Sequence, residues 1–406
     1  MDPDLIHRPL QHHLIVTTLT SQIANLVPDV IDETALGFEM NWGTDTKEWK
    51  EVCVYETLRH IVGQVTNRVF VGLPTCRDPA LVDVAMKYAQ DVPLTSMVLR
   101  MIPRLIKPLL VPIITLSCRI HTNQFYKIIK PTVERRLREF DARRADPEAS
   151  GLGPKPNDYL EWSIAQAKEL NEPPLWHPKK LADRVLILNF AAIHTSTFSI
   201  TGAILDLVCH NKPEHIAELR AEIEAVLADH GGVWDKRSLA KMHKLDSTMR
   251  ESVRLNSIVT LGLGRMVTAP EGIDTPSGIH VPRGVIVTTP GYSIMHDRDV
   301  YGDDAEEFRP FRFAEQRVER EGGAGYVERA RKAFPTTSKE FLAFGHGKNA
   351  CPGRFFAANE LKLILGYMVL NYEFEMQAER PRNTWFGLSR VPPMKATIRI
   401  RRREKS

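Results

Sequence analysis

The run from Pro178 to Pro213, PKKLADRVLILNFAAIHTSTFSITGAILDLVCHNKP, has no internal proline and carries apolar residues on most faces of the helix it predicts. A helix that is apolar nearly all round cannot lie on a surface. It has to cross a core and be enclosed by other elements. The chain's 406 residues and 43% hydrophobic composition suffice for such a core, in one large domain or two smaller ones. In the middle of the run, Ala191 and Ala192 precede His194, Thr195 and Ser196. Two small residues followed by hydroxyls make room for a small ligand and supply hydrogen bonds to it. The alternative is ordinary helix packing with hydroxyls bonded back to the preceding turn.

Helical periodicity dominates the first ~310 residues. Loops interrupt it at 143–158 (RRADPEASGLGPKPND) and 228–232 (ADHGG); a helical pattern resumes over 159–173 and again from Pro213. Between 265 and 290, Val, Ile and Thr are punctuated by Gly and Pro, which predicts short strands and turns. The tail PPMKATIRIRRR alternates and predicts a final strand. The expected architecture is mainly α with small β-sheets, helix-rich over 1–260 and with the small strands in 261–406, segregated rather than alternating.

A net charge of +4 is mild for this length, and no basic cluster is interleaved with aromatic residues, so no nucleic-acid partner is expected. The five cysteines, Cys53, Cys76, Cys118, Cys209 and Cys351, include no Cys-x-x-Cys pair, which argues against a structural zinc site or a disulfide framework. Four of them read as small, buried, reduced thiols. The opening MDPDLIHRPLQHHLIV is neither a signal peptide nor a membrane anchor. Residues 94–118, LTSMVLRMIPRLIKPLLVPIITLSC, form the longest apolar stretch, but Arg100, Arg104, Lys107 and three prolines rule out a straight membrane-spanning helix. Two readings stand for it: a segment lying in a membrane interface, and a core helix pair split by prolines.

Cys351 is the exception among the cysteines. It stands in FGHGKNACPGR (344–354), among Gly345, Gly347, Pro352 and Gly353, directly before the apolar-periodic run FFAANELKLILGYMVLNYEFE. Pro352 suits the first position of the helix that follows, where a missing N–H costs nothing. The thiol is then expected at a helix N-terminus, where free N–H groups and the dipole stabilise a thiolate. The glycines let a flat ligand approach the backbone, and Phe344 supplies an aromatic wall. An axial haem ligand requires a thiolate held in this way. The competing reading is a nucleophilic cysteine, which needs a histidine base; His346 is close but on the wrong side of a tight loop. Elsewhere, Glu251 and Arg254 in RESVRLN are three apart on one helical face and able to pair. EFRPFRF (307–313) holds Pro310, Arg312 and Phe313 together.

In this order and at these separations the four stretches resemble the cytochrome P450 family over essentially the whole chain. Phe-x-x-Gly-x-x-x-Cys-x-Gly is met by Phe344, Gly347, Cys351 and Gly353, Glu-x-x-Arg by Glu251 and Arg254, and Pro-x-Arg-Phe by Pro310, Arg312 and Phe313. The oxygen-groove motif is met by Ala191, Ala192, Thr195 and Ser196, and VTNRVFVG (65–72) is similar to filamentous-fungal members of natural-product pathways. The resemblance implies the cytochrome P450 fold as a single domain and a haem-thiolate monooxygenase with haem b as cofactor and Cys351 as the axial ligand to its iron. It implies a hydrophobic small-molecule substrate such as a terpenoid, alkaloid or polyketide. Electrons would come from NADPH through an NADPH-cytochrome P450 reductase, at the cytoplasmic face of the endoplasmic reticulum membrane. Glu251, Arg254 and Arg312 would form a buried charge triad, Thr195 would bond dioxygen and help deliver protons, and Arg265 would meet a haem propionate. Two other classes share the scaffold: isomerases or dehydratases that need no external electrons, and non-catalytic haem binders.

Three departures from the family pattern stand out. His194 takes the place of the usual acid before the groove threonine; a histidine still relays protons near neutral pH. Asn349 takes the place of a propionate-binding Arg or His, leaving Lys348, one position off, for that role. Residues 11–35 read as the middle of the fold, so the usual anchor, first helix and early strands are expected to be missing from the front of this chain.

Overall fold

The computed structural model describes residues 4–7, 9–146, 151–318 and 331–404. Its main helices are α1 (Thr20–Trp42), α2 (Val54–Val71), α3 (Pro79–Met101), α4 (Lys107–Ile114), α5 (Leu116–Ala145), α6 (Tyr159–Glu169), α7 (Pro178–Val208), α8 (Pro213–Asp229), α9 (His243–Leu255), α10 (Arg312–Val318) and α11 (Arg354–Asn371). The strands are β1 (Lys50–Cys53), β2 (Gly262–Met266), β3 (Ile273–Asp274), β4 (His280–Val281), β5 (Ile286–Thr289), β6 (Tyr372–Phe374), β7 (Thr384–Phe386), β8 (Ser389–Val391) and β9 (Thr397–Arg402).

The long apolar run is the single helix α7. Pro178 occupies its first turn and the His177 ring accepts a bond from the Lys179 N–H, which satisfies one of the free donors there. By length and hydropathy α7 would pass for a membrane span. In the fold it is instead enclosed by α2, α3, α5, α9 and α11. The apolar cluster built around it runs from Leu14 to Ile400. The enclosure is incomplete: Ala191 and Thr195 are exposed and His194, Phe198 and Ser199 half-buried, while Ile193, Thr197 and Ile200 on the opposite side are buried. A core helix with one open stripe borders a hollow.

Among the described residues the sheets are small. β1, β9 and β6 form one antiparallel sheet in the order β1-β9-β6, and β2–β5, β3–β4 and β7–β8 are two-stranded. Val52 pairs with Ile398 and Phe374 with Ile400. β1 falls where periodicity alone predicts helix. Its partner is the tail of the chain, a separation no local pattern can display.

Several local expectations need correction. Cys53 and Cys118 are half-exposed rather than buried, because each sits at an element end on the surface; their sulfurs contact the Met394 carbonyl (3.3 Å) and the Thr95 hydroxyl (3.5 Å). Cys76 and Cys209 are buried, and burial pushes their thiols up to about 12 and about 11. The 143–158 loop begins only after Ala145, and its residues 147–150 lie outside the described residues. The helical pattern over 159–173 stops at Glu169, and a separate 3₁₀ turn, Pro173–Trp176, follows.

Residues 94–118 do not form a core helix pair. They become the end of α3, a break around Pro103, the short α4 and the start of α5, and no residue of α4 is buried. Met101, Leu105, Leu109 and Ile113 are 77%, 93%, 76% and 69% exposed. Apolar residues that open to the outside need a partner other than this core.

Candidate functional site

The helix after Cys351, α11, starts at Arg354 with Gly353 as its N-cap, so Pro352 lies before the helix and not at its first position. A tight turn intervenes: the Arg354 backbone N–H and its Nη1 both donate to the Cys351 carbonyl, at 3.5 and 2.9 Å. The thiol still meets the helix N-terminus, because the N–H groups of Gly353 and Arg354 act on it. Burial pushes the Cys351 thiol above its ordinary value; those N–H groups and the Arg354 charge pull it down without overcoming burial. Such a sulfur keeps its proton at neutral pH unless a cation replaces it.

The loop ahead is closed by three backbone bonds: Gly345 N–H to Leu342 O (2.8 Å), Ala350 N–H to Gly347 O (3.0 Å) and Cys351 N–H to Phe344 O (2.7 Å). Gly345 and Gly347 both adopt φ of 69°, a conformation that favours glycine. A Cβ placed on Gly347 would meet no atom within 4 Å, so the space beside it is open. The Phe344 ring leans on Phe334 at 5.2 Å. His346 Nδ1 is 3.0 Å from the Thr337 hydroxyl, which engages it away from Cys351.

On the open stripe of α7, the Thr195 hydroxyl bonds back to the carbonyls of Ala191 (2.8 Å) and Ala192 (3.3 Å). Its proton is held by the helix, and its lone pairs remain free for a donor. His194 turns toward α2: Nδ1 is 3.5 Å from the Tyr55 hydroxyl, and the ring packs on Phe198. Burial holds the His194 ring below its ordinary value, with a nearby Met86 backbone group opposing weakly. Its buried Nε2 has no partner among the described residues. No hydrogen bond joins His194 to the Thr195 side chain.

The residue that the motifs did not reveal is Glu360. It is fully buried on α11 and accepts bonds from the Thr66 hydroxyl of α2 (2.7 Å) and the Ser196 hydroxyl of α7 (3.2 Å). Burial raises its carboxyl to about 7 against those two bonds. Its one sequence signal is that Glu360 and Lys362 are the only charges in FFAANELKLILGYMVL. The Ser196–Glu360 contact sets Thr195 alongside α11, about 9 Å along its axis from the end that carries Cys351.

The fold brings Glu251, Arg254 and Arg312 together. Arg254 Nε and Nη2 donate to both oxygens of Glu251 (2.8 and 2.9 Å), and its Nη1 donates to the carbonyls of Met295 (2.6 Å) and Ala305 (2.7 Å). Arg312 Nε donates to Glu251 (2.9 Å) and its Nη1 to Asp304 (2.8 Å). Two guanidiniums against one carboxylate leave a positive charge, and Asp304, which the motifs did not include, cancels it. Arg312 and then Arg309 hold the Asp304 carboxyl down to about 2. Arg265 and Lys348 stand apart from this cluster and are exposed, as is Asn349. Among the described residues, Arg265 Nη1 bonds only to the adjacent Gly264 carbonyl (2.8 Å). Leu263, two residues earlier on β2, lies 3.8 Å from where a Cβ on Gly345 would be, so this strand adjoins the Cys351 loop.

Removing Glu251 leaves the buried Arg254 without a carboxylate and Arg312 with Asp304 alone. Glu251→Ala is expected to cost about 3–5 kcal/mol, a large part of an ordinary margin of ~5–15 kcal/mol; a denaturation midpoint equal to the parent's would show the pairing to be dispensable. Glu360 has a native value raised above its unfolded 4.5, so the native state holds the extra proton. Its contribution is fully present below the unfolded value and lost as pH rises through about 7, a fall of roughly 3 kcal/mol. In Glu360→Gln that part of the pH dependence should vanish, read as the difference in unfolding free energy between about pH 5 and pH 8. A variant with the parent's slope would place the titration elsewhere.

Residues 7–397 match the family model described as Cytochrome P450. The chain is 34% identical over 404 residues to the cytochrome P450 monooxygenase gloP of Glarea lozoyensis, covering 98% of this chain and 73% of that protein. It is 35% identical over 402 residues to cytochrome P450 monooxygenase 103 of Postia placenta, covering 98% and 76%. Among solved structures, the retinoic acid-bound cyanobacterial CYP120A1 shares the fold with a TM-score of 0.69 at 20% identity, over 99% of this chain and 79% of that one. With its mainly helical architecture, small sheets and Cys351 loop, this chain belongs to the cytochrome P450 family of monooxygenases.

Proposed function

We propose that this chain, acting as a single domain, binds haem b through the Cys351 sulfur and inserts one oxygen atom of O2 into a hydrophobic small molecule. The observation that carries the reading is a juxtaposition. A half-buried thiol sits at the N-terminus of α11 in a loop whose Gly347 has open space over it, and the open Ala191–Thr195 stripe of α7 runs alongside that helix. These residues fit a flat, metal-centred ligand. When bound, haem supplies dioxygen activation and accepts the electrons. With iron in place of the thiol proton, the N–H groups of Gly353 and Arg354 would stabilise the negative charge of the sulfur. Arg265 and Lys348 are exposed cations flanking the loop, free to meet the propionates where Asn349 brings no charge.

Thr195 presents hydroxyl lone pairs to the hollow and orients a donor there. His194, neutral near pH 7 and next to the Tyr55 hydroxyl, can take up and hand on a proton. The presence of Thr195 favours oxygen insertion over isomerisation or dehydration. The relatives gloP and monooxygenase 103 come from fungi and are named as monooxygenases; they support a fungal secondary metabolite, a terpenoid, alkaloid or polyketide, as substrate. Electrons arrive from NADPH by way of an NADPH-cytochrome P450 reductase. The exposed apolar side chains on and around α4 support contact with a membrane interface, at the cytoplasmic face of the endoplasmic reticulum.

The ligand assignment predicts that Cys351→Ser loses the thiolate-type spectrum of the reduced carbon monoxide adduct while Cys118→Ser and Cys209→Ser keep it. A parent-like spectrum in Cys351→Ser would sink the assignment. For proton delivery, positioned acid–base groups contribute roughly 10²–10⁴ in rate. Product formed per NADPH, measured with a reductase, should therefore drop at least several-fold in His194→Ala and in Thr195→Ala, and recover in part in His194→Asp. Parent-like coupling in His194→Ala would leave the histidine a packing role only.

A further inference from the structure

His194 and Phe198 are one turn apart on α7, share one face of it and are both half-buried. Tyr55, the second residue of α2, reaches across to both. Its ring lies 5.7 Å from Phe198, and Phe198 lies 5.7 Å from the His194 ring. The Tyr55 hydroxyl oxygen is 3.5 Å from His194 Nδ1. Tyr55 is 5% exposed and belongs to the apolar core, so packing fixes its ring whatever the hydroxyl does. A tyrosine buried to this degree needs a partner for that hydroxyl. The charged groups nearby, Arg59, Glu56 and Asp83, pair with one another (Arg59 to Asp83 at 3.4 Å) and leave Nδ1 to the tyrosine.

The proton in that contact can be placed by elimination. Burial pushes the Tyr55 hydroxyl up to about 12, so it keeps its proton near pH 7. Among the described residues its one hydrogen-bond partner is His194 Nδ1. If Nδ1 carried a proton, the buried Tyr55 proton would have no acceptor there; an unprotonated Nδ1 accepts it. Burial, and then the Arg59 charge, hold the His194 ring below its ordinary value, with a Met86 backbone group of α3 opposing them. The ring is therefore neutral near pH 7 and has one proton to place, and with Nδ1 accepting, that proton is on Nε2. Nε2 is buried and has no partner among the described residues, so its proton is not tied up by them. The opposite tautomer would invert the site: Nδ1 would hold the proton and Nε2 could only accept.

We propose that Tyr55 is a positioning residue for His194: its hydroxyl donates to Nδ1, fixes the orientation of the ring and keeps the single ring proton on Nε2, ready to be given up. As a part of catalysis this rests on the proton-delivery role proposed above; as a statement about the ring it stands alone. The test is long-range proton–nitrogen NMR of the full chain carrying nitrogen-labelled histidine, in the parent, in Tyr55→Phe and in His194→Ala. The last variant assigns the signal, and Tyr55→Phe removes only the hydroxyl while keeping the packed ring. In the parent the Nε2–H form should outweigh the Nδ1–H form by roughly tenfold or more, as one net hydrogen bond sets. In Tyr55→Phe the ratio should fall several-fold, toward that of a free imidazole. A parent ring with its proton on Nδ1, or an unchanged ratio in Tyr55→Phe, would overturn the proposal. Product formed per NADPH, measured with a reductase, should drop several-fold in Tyr55→Phe and no further when His194→Ala is added. A further drop in the double variant would mean that the hydroxyl acts elsewhere and would overturn it as well. Parent-like coupling in His194→Ala, together with a ratio that follows Tyr55, would end the proton-delivery role and uphold the positioning.

Discussion

Arg254 is a guanidinium with no access to solvent, and everything near it is arranged to answer that charge. Four of its five N–H donors are matched, two by Glu251 on its own helix and two by carbonyls of segments far along the chain, at Met295 and Ala305. A buried charge of this kind tolerates no vacancy among its partners, so α9 dictates where residues 291–313 run. The same helix continues the work on its other positions. Ser247 accepts from the Phe313 N–H (3.0 Å), Asp246 accepts from the Phe334 N–H (2.9 Å), and Arg250 donates to the carbonyls of Ala333 (2.6 Å) and Thr336 (2.8 Å). Those last residues lead straight into the loop of Cys351. The position of the sulfur is thus inherited from a polar face of α9.

Around the open stripe of α7 the prevailing physical effect is desolvation. Cys351 and Glu360 are both pushed up and His194 is pushed down, each toward its uncharged form and each by burial first. The structural cluster behind them is the reverse case, where complementary charges keep Asp304 ionised. The two regions divide the labour: one holds fixed charges that lock the fold, and the other holds neutral groups that can still exchange a proton.

The segment VTNRVFVG shows how far a motif can be read before the fold is known. In the sequence it is only one stretch within the helical periodicity of the first ~310 residues. In the structure Thr66 bonds Glu360, Asn67 bonds Asn189 of α7 (2.8 Å), and Arg68 pairs with Asp29 of α1 (2.7 Å). Three consecutive polar residues thus tie α2 to three other helices. Glu360 was illegible for the same reason: its meaning lies in hydroxyls contributed from residues 66 and 196. Pro352 was misread because a favourable helix start is a local preference, and the turn closed by Arg354 onto Cys351 overrides it.

The residues alone determined the mainly helical class with small sheets, the long core helix α7 and the singular character of Cys351, because each rests on short-range pattern: apolar periodicity, proline placement and glycine around one thiol. The spacing of Glu251 and Arg254 likewise announced a pair that one helical turn can make. Only the tertiary structure decided that Asp304 completes the charge cluster, that Glu360 anchors Ser196, that His194 faces Tyr55 and that residues 94–118 lie outside the core. Each of those depends on groups brought together from distant parts of the chain, and on whether water reaches them. Burial and long-range pairing are properties of the packed molecule, which no local run of residues carries.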